Sequence, residues 1–371
     1  MDGKTGNMPG GRILSLDALR GFDMFWIIGG DTVAVALLRL IGAPWALAMS
    51  GQFEHCAWNG FTFYDLIYPL FLFIVGTSMP FAVSRRLERG QSRREIAGHI
   101  FKRFLTLIVL GYIFNGLLDL PRFSEMRHTG VLHRIAWCYL LCGLLMLRTG
   151  WRGQAITGAA LLLVYWALMA LVPVPGFGAG VITPEGNLSS YVDRLFLPGY
   201  HNGYAGGDYL GILGTLPSVA STLAGVMAGH LLRSPLDGMA KVRRLVFWGV
   251  ISSVIAWIWN PWLPINKFLW SSSYTLYGAG LSALLLALFY WVIDLRGIGR
   301  WAFPFVVIGL NPITIYVAQH LFNFGSLADI FIHGFVNHLG DIQPLFYAVC
   351  VLAVKWLVLY FLYRQKIFLK A

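Results

Sequence analysis

The sequence predicts an all-α, polytopic integral membrane protein of about ten transmembrane helices in one bundle, and three observations carry that expectation. Of its 371 residues, 57% are hydrophobic. Only 12% are charged, against the roughly 25% usual in soluble domains, and mean hydropathy is +0.66. The apolar residues also run in blocks of membrane length, about 17–25 residues, separated by short basic connectors.

Taken in order, the first span is expected over about 16–38, with Arg20 marking its inner interface, and the second over 61–83, ending at Arg85 and Arg86. The third (99–118) leaves the densest basic connector, RRLERGQSRREIAGHIFKR; the fourth (131–148) ends at Arg148, and the fifth covers 154–172. The sixth (211–232) and seventh (243–260) flank Arg233, Lys241, Arg243 and Arg244, and the eighth covers 272–293. The ninth (301–322) contains Asn311-Pro312, a break or kink that frees backbone groups. The tenth (343–363) holds Lys355, the one Lys or Arg assigned to neither the inner nor the outer segments.

The net charge of +11 invites a nucleic-acid reading. Positive-inside topology explains it more simply, and no nucleic-acid partner is expected. With both termini cytoplasmic, 21 basic residues fall in inner segments and six in outer ones, which places His55 outside. The opening MDGKTGNMPGGR has no apolar core or small-residue cleavage site, so no removable signal peptide is expected. Residues 1–11 read as a cytoplasmic tail and 12–371 as a single membrane domain, with an extracytoplasmic loop at about 173–210 that could form a lid or a substrate platform. Its GFGAG run (176–180) lacks the strand and helix of a phosphate loop. Cys138, Cys142 and Cys350 lie in apolar runs, leaving only Cys56 outside, so no disulfide framework is expected.

The chemistry-bearing residues concentrate in 52–79. Projected at 100° per residue, His55, Trp58, Asn59, Thr62, Asp65 and Pro69 fall on one face, a polar stripe that a helix would carry into a lined cavity. His55 suits a general base or a transient nucleophile; the alternative is a solvated loop histidine. Asp31 and Asp65 are both placed to orient its ring. Asp31 lies eleven residues, about 16 Å of helix, beyond Arg20, whereas Asp23, one turn from Arg20, reads as its structural partner. His333 and His338 lack a third ligand, so no metal site is expected. The basic connector suits topology and anionic lipid, or capture of a phosphate-bearing cosubstrate.

The motifs SLDALRGF (15–22), HCAWNGFTFYDLIYPLFLFIVGTSM (55–79), GVLHRIAW (130–137), LVPVPG (171–176), YVDRLFL (191–197), GILGTLPS (211–218), PINKFLWSSSY (264–274) and YRQKIF (363–368) run nearly end to end. On these the chain resembles the heparan-α-glucosaminide N-acetyltransferase family, as a bacterial-type homologue within a wider group of transmembrane acyltransferases. The resemblance implies a ten-span core that takes acetyl-CoA from the cytoplasmic side and acetylates an amino sugar on the other. It also implies a catalytic histidine in the H-x-x-W-N-G block, here His55. Three departures stand out. Asp31 replaces a functional asparagine of lysosomal members, the link to His55 is longer and includes RLIGAPWALAMSGQFE, and Gln319, beside His320, replaces a membrane-embedded histidine.

The resulting expectation is a membrane-embedded acetyltransferase in a bacterial inner membrane. His55 and Asp31 are its catalytic pair, with Asp31 holding the imidazole. Trp58, Asn59, Asp65, Asn266, Lys267 and Asn311 are expected to contact the substrate or oxyanion, and Arg134, Arg85, Arg86 and Arg103 the CoA phosphates. Expected partners are acetyl-CoA, the amino sugar or glycan acceptor and the lipid bilayer, with a homodimer left open. The competing reading is a secondary transporter for a glycan or amino sugar with an Asp/His proton relay, although no paired halves are visible. A structural partner in envelope-glycan assembly is a third class with little positive support.

Overall fold

The computed structural model describes residues 13–119, 122, 124–204 and 206–368. The expected tail at 1–11 lies outside the described residues. The helices are α1 (Leu14–Phe25), α2 (Asp31–Ile41), α3 (Pro44–Ser50), α4 (Ile67–Glu88), α5 (Arg93–Phe114), α6 (Val131–Arg148), α7 (Trp151–Leu171), α8 (Leu188–Phe196), α9 (Thr215–Arg233), α10 (Gly238–Trp259), α11 (Ser272–Phe289), α12 (Phe303–Leu310), α13 (Pro312–Leu321), α14 (Phe324–Val336) and α15 (Gln343–Arg364). No strand occurs among the described residues. Nine helical stretches there are long and apolar enough to cross a membrane, and the bent pair α12–α13 makes a tenth. The protein is an all-α, polytopic integral membrane protein, and each expected span has its counterpart.

The helices sort into centre and rim. The α4 and α9 helices are largely buried within the protein, whereas α10 and α15 show most of their surface to the surroundings. Small residues let the two central helices meet backbone to backbone: a Cβ at Gly76 would overlap the Thr222 carbonyl oxygen, and one at Gly225 that of Phe73. The same device joins α1 to α12, where Gly21 faces the Phe305 carbonyl and Gly309 that of Asp17.

Two spans are broken. In the first, a π-helical turn, Trp26–Gly30, separates α1 from α2, with Gly29 at φ +134°. That turn removes a regular helical partner from the Ile28 carbonyl, which accepts from Lys355 Nζ of α15 at 2.6 Å; the same ammonium donates to Gln319 Oε1 at 3.2 Å. The second break is the expected one at Asn311-Pro312, where α12 and α13 meet at 63°.

Two local expectations are corrected. Arg20 pairs with Asp17 at 3.1 Å and donates to Ser78 Oγ at 2.7 Å rather than pairing with Asp23, since Asp17 lies on the opposite side one turn back and nearer the end of the bundle. Asp23 is fully buried, and neither of its oxygens has a hydrogen-bond partner among the described residues. Nor is the polar stripe helical: residues 54–62 form a bent loop, and helical geometry begins only at Phe63. Gly60, at φ +128°, and the Thr62 cap stop the helix short of His55.

The 173–210 segment contains α8 and folds back on the bundle. Its GFGAG run closes a tight turn, with Val174 N–H donating to Gly178 O at 2.8 Å and Gly178 N–H to Val174 O at 2.9 Å.

Candidate active site

The site grows from the residue that caps the start of the second span. Asp65 stands three positions after Thr62, the spacing at which a carboxylate can reach back to the cap residue. Its Oδ2 accepts from Thr62 N–H at 3.1 Å and from Cys56 N–H at 3.4 Å, drawing 56–62 into a closed loop. The Thr62 hydroxyl ties the base of that loop, donating to Glu54 O at 2.7 Å. The other oxygen, Oδ1, faces side chains: His55 Nδ1 at 2.9 Å and Lys267 Nζ at 3.5 Å. The Asp65 side chain is 0% exposed and that of His55 43%, so a hidden acid orients an accessible ring, as in hydrolytic triads. From behind, Tyr274 donates its hydroxyl to the Asp65 carbonyl at 2.7 Å.

The expectation that Asp31 holds the imidazole is therefore corrected in favour of Asp65. The break at Gly29 makes Asp31 the first residue of a new helix, and its Oδ1 accepts from Thr32 N–H at 2.7 Å and from the Thr32 hydroxyl at 3.2 Å. Its link to His55 is indirect, through Tyr64. Tyr64 neighbours Asp31, and its ring lies 4.8 Å from the imidazole, centroid to centroid. Tyr64 is a site residue that sequence reasoning missed, one position before Asp65 in the same motif.

Lys267 is delivered by the connection between α10 and α11. Asn260 Oδ1 accepts from Ile265 N–H at 2.8 Å, Ser271 donates to Pro264 O at 2.7 Å, and Asn266 Oδ1 accepts from Leu269 N–H at 2.9 Å. This rigid turn docks on the histidine loop through Gly60 N–H to Ile265 O at 2.9 Å and Asn266 Nδ2 to Asn59 Oδ1 at 3.0 Å. Asn266, expected to contact substrate, is fully buried; it positions Asn59 and Lys267 instead. The outcome is a Lys267 Nζ lying 2.6 Å from His55 Nδ1 and 2.7 Å from Nε2. Burial lowers the Lys267 ammonium to about 8, against the opposing pull of the Asp65 charge. Burial and the same carboxylate push the neighbouring Cys56 up to about 12, so this thiol stays protonated and is a poor nucleophile.

Trp58, expected to contact substrate, also pins the neighbouring segment. Its indole donates to Ile182 O at 2.9 Å and its ring stacks on Phe268 at 5.6 Å and 9°, which fastens the 173–210 segment over the site. That segment is locked further along by Arg127, bidentate on Asp208 at 2.6 and 2.8 Å. Burial raises the Asp208 carboxyl, but the Arg127 guanidinium and two backbone N–H groups more than offset this and leave it below the usual range.

At the far end of the bundle, Arg85, Arg86, Arg89, His99, Lys102 and Arg103 line a cavity of about 440 Å³. A second cavity of about 230 Å³ shares Ala82, Arg103 and Tyr139 with it and extends past Ser78, Val75 and Phe71 along α4. Three of the expected phosphate contacts, Arg85, Arg86 and Arg103, thus meet in one place. Arg134 does not join them: it is 2% exposed, donates to Gly211 O at 3.1 Å and lies under Trp270, because its helix starts at the His55 end. Asn311, expected to contact the substrate or oxyanion, lies away from His55. It sits at the α12–α13 break, donates to Ile367 O at 3.0 Å, and adjoins Leu310 and Pro312 in the inner cavity wall. Among the described residues, no group of three or more His, Cys, Asp or Glu is placed to hold a metal ion.

Residues 12–258 match the family described as heparan-alpha-glucosaminide N-acetyltransferase, catalytic. The chain is 28% identical to the heparan-alpha-glucosaminide N-acetyltransferase of Mus musculus over 91% of its length and 59% of that protein's. It is equally similar, at 28%, to the Homo sapiens protein of the same name, over 97% of this chain and 60% of the other. The chain thus spans about three fifths of the length of the curated relatives it matches. His55, Asp65 and the basic cavity at 85–103 all fall within the matched stretch, and the chain belongs to the heparan-α-glucosaminide N-acetyltransferase catalytic family.

Proposed function

We propose that this chain is a transmembrane acetyltransferase that takes acetyl-CoA at its basic, cytoplasmic end and delivers the acetyl group to an amino sugar or related glycan at the His55 end. The observation that carries the reading is that one buried helix joins the two chemistries. The α4 helix has Asp65 just before its first turn and Arg85 and Arg86 in its last, about 30 Å apart at 1.5 Å per residue. That is the thickness of a bilayer core. The charge bias supports a cytoplasmic position for the basic end.

Arg85, Arg86, Arg89, Lys102 and Arg103 offer the donors that phosphate geometry requires, and the narrower cavity running up α4 suits an extended acyl arm. At the other end, Asp65 fixes His55 with Nδ1 protonated, leaving Nε2 to take the acceptor's proton or the acetyl group itself. Exposed Asn59 and the Tyr204 ring beside Trp58 are the groups a sugar meets first. The test is incubation of purified protein with labelled acetyl-CoA and amino sugars. His55→Ala is expected to abolish acetyl transfer, and turnover that survives it ends the reading. Arg86→Gln with Arg103→Gln is expected to raise KM for acetyl-CoA at least about tenfold, since each charge-assisted contact contributes ~1.5 kcal/mol or more, with kcat little changed.

A further inference from the structure

A polar group inside a membrane bundle needs a partner from the protein or from a ligand, because hydrocarbon offers none. Asp23 has neither in the ligand-free chain. It is fully buried, and both of its carboxyl oxygens lack a hydrogen-bond partner among the described residues. Arg20, the one cation of α1, is committed elsewhere: it donates to Asp17 at 3.1 Å, to Gly309 O at 3.4 Å and to Ser78 Oγ at 2.7 Å. The His55 site makes no use of Asp23, since Asp65 already orients the ring.

Its depth follows from its neighbours. Arg20 meets Ser78, and further along α1 the Trp26 ring meets Phe63, so α1 and α4 run in opposite directions. One turn outward from Arg20 on α1 therefore matches one turn back from Ser78 on α4, which puts Asp23 level with Val75. Arg20, Val75 and Phe71 all line the cavity of about 230 Å³ that extends up α4 from the arginine cluster. Residues three apart share a helix face and side chains lean toward the helix N-terminus, so the Asp23 carboxyl leans back over Arg20 toward that space. Outward, Asp23 neighbours Tyr64, whose ring packs on the imidazole of His55. An acceptor without a donor thus stands between the cavity and the histidine, about 15 Å along α4 from Arg85.

We propose that Asp23 is a binding residue for the arm of the acyl donor: as the pantetheine chain of acetyl-CoA threads the cavity toward His55, one of its amide N–H groups donates to the Asp23 carboxyl. This rests on the acetyltransferase reading above. The two parts complement each other. The arm carries secondary amides, and an amide that leaves water for the bundle without a partner pays a large desolvation cost. The carboxyl oxygens are acceptors in the same position, and one contact satisfies both. That contact also selects the donor, because a plain alkyl arm leaves the buried carboxyl bare, and a site built to bond a polar group rejects the analogue that lacks it. In the ligand-free protein the bare carboxyl lowers stability, and an apolar side chain in its place would remove that loss.

The test is calorimetric binding of three ligands to the full-length, detergent-solubilised protein. They are CoA, adenosine bisphosphate, which keeps phosphates but lacks the arm, and an alkyl-armed CoA analogue with methylenes in place of the amides. Asp23→Leu is expected to weaken CoA about tenfold, the factor that one hydrogen bond to a carboxyl represents. The same change is expected to leave adenosine bisphosphate alone and not to weaken the alkyl-armed analogue. Asp23→Asn, which keeps an acceptor, is expected to hold CoA within about threefold of wild type. Of ligand-free Asp23→Leu and Asp23→Ala, the more stable is expected to melt no lower than wild type. Equal CoA affinity in wild type and Asp23→Leu, or an equal loss for all three ligands, overturns the proposal. So do lower midpoints in both apolar variants, or failure of both to fold, since either shows the carboxyl bonded in the ligand-free bundle. In turnover, Asp23→Leu is expected to raise KM for acetyl-CoA by the same factor with kcat little changed. A wild type that binds no CoA refutes the acetyltransferase reading, whereas one that binds CoA and transfers acetyl no differently from Asp23→Leu refutes the arm contact alone.

Discussion

Asp65 divides its two oxygens between architecture and chemistry, and this decides how its substitution should behave. Oδ2 closes the loop that carries His55, and Oδ1 orients the ring. Asp65→Asn keeps the size but replaces one acceptor with a donor, which favours the wrong imidazole tautomer, the effect known from serine-protease triads. A fall in kcat of about 10²-fold or more is expected, at the scale of general base catalysis. Asp31→Asn is expected to stay within about threefold of wild type, because its contact with the ring passes through Tyr64 and the exchange retains an acceptor. A parallel kcat measurement on the two variants checks the order; the reverse order would return the orienting role to Asp31. The distinction was only half legible in the sequence. Both acids stood out as ionisable residues at membrane depth, but depth along a helix says nothing about which carboxylate folds back on a loop. The helical projection that put His55 and Asp65 on one face failed at Gly60 and Thr62. The two residues meet through the capping geometry instead.

At the scale of elements, a polar tie closes the broken first span and another helps to strap down the 173–210 segment. Lys355 closes the break by donating to the Ile28 carbonyl. Lys355→Met leaves that carbonyl without its donor at a cost of about 1–3 kcal/mol, so a lower thermal midpoint is expected in detergent, whereas Lys355→Arg, still a donor, should lose less. The break went unread because a glycine pair in a membrane helix is commonplace, and only the folded chain shows which carbonyl it frees. The outer segment is held by Arg127 and Asp208. Because the Asp208 carboxyl lies below its ordinary value in the folded protein, this tie is present above the unfolded carboxylate range, about 3.9, and is lost as pH falls through the lower folded value. Protease protection of 173–210 is expected to hold from pH 7 to about 4 and to decay below that. Protection lost already at pH 6 would show that the ion pair does not hold the segment.

For the whole molecule, the ten spans could be read because each is a long apolar run closed by basic residues, and lipid leaves such runs little choice but helix. Their arrangement could not. Which spans sit at the centre depends on small residues such as Gly76 and Gly225, whose value lies in what they let approach, and hydropathy is blind to that. The clustering of Arg85, Arg86 and Arg103 in one cavity follows from their shared connector, whereas Arg134, in a helix that starts at the other end of the bundle, was grouped with them on charge alone.

The burial of α4 has a consequence for how the protein answers to its solvent. A rim helix such as α15 must match the thickness of the surrounding lipid by tilting or by deforming the bilayer. A helix screened by its neighbours keeps a length set by its own hydrogen bonds. The span between the arginine cavity and His55 is thus a ruler cut to protein dimensions, insulated from the membrane it crosses. Reconstituted in lipids of increasing acyl-chain length, the protein is expected to change its thermal stability, while kcat stays within about twofold, since mismatch costs only fractions of a kcal/mol per Å. A kcat that tracks bilayer thickness would mean that lipid, not α4, sets the distance between the two ends.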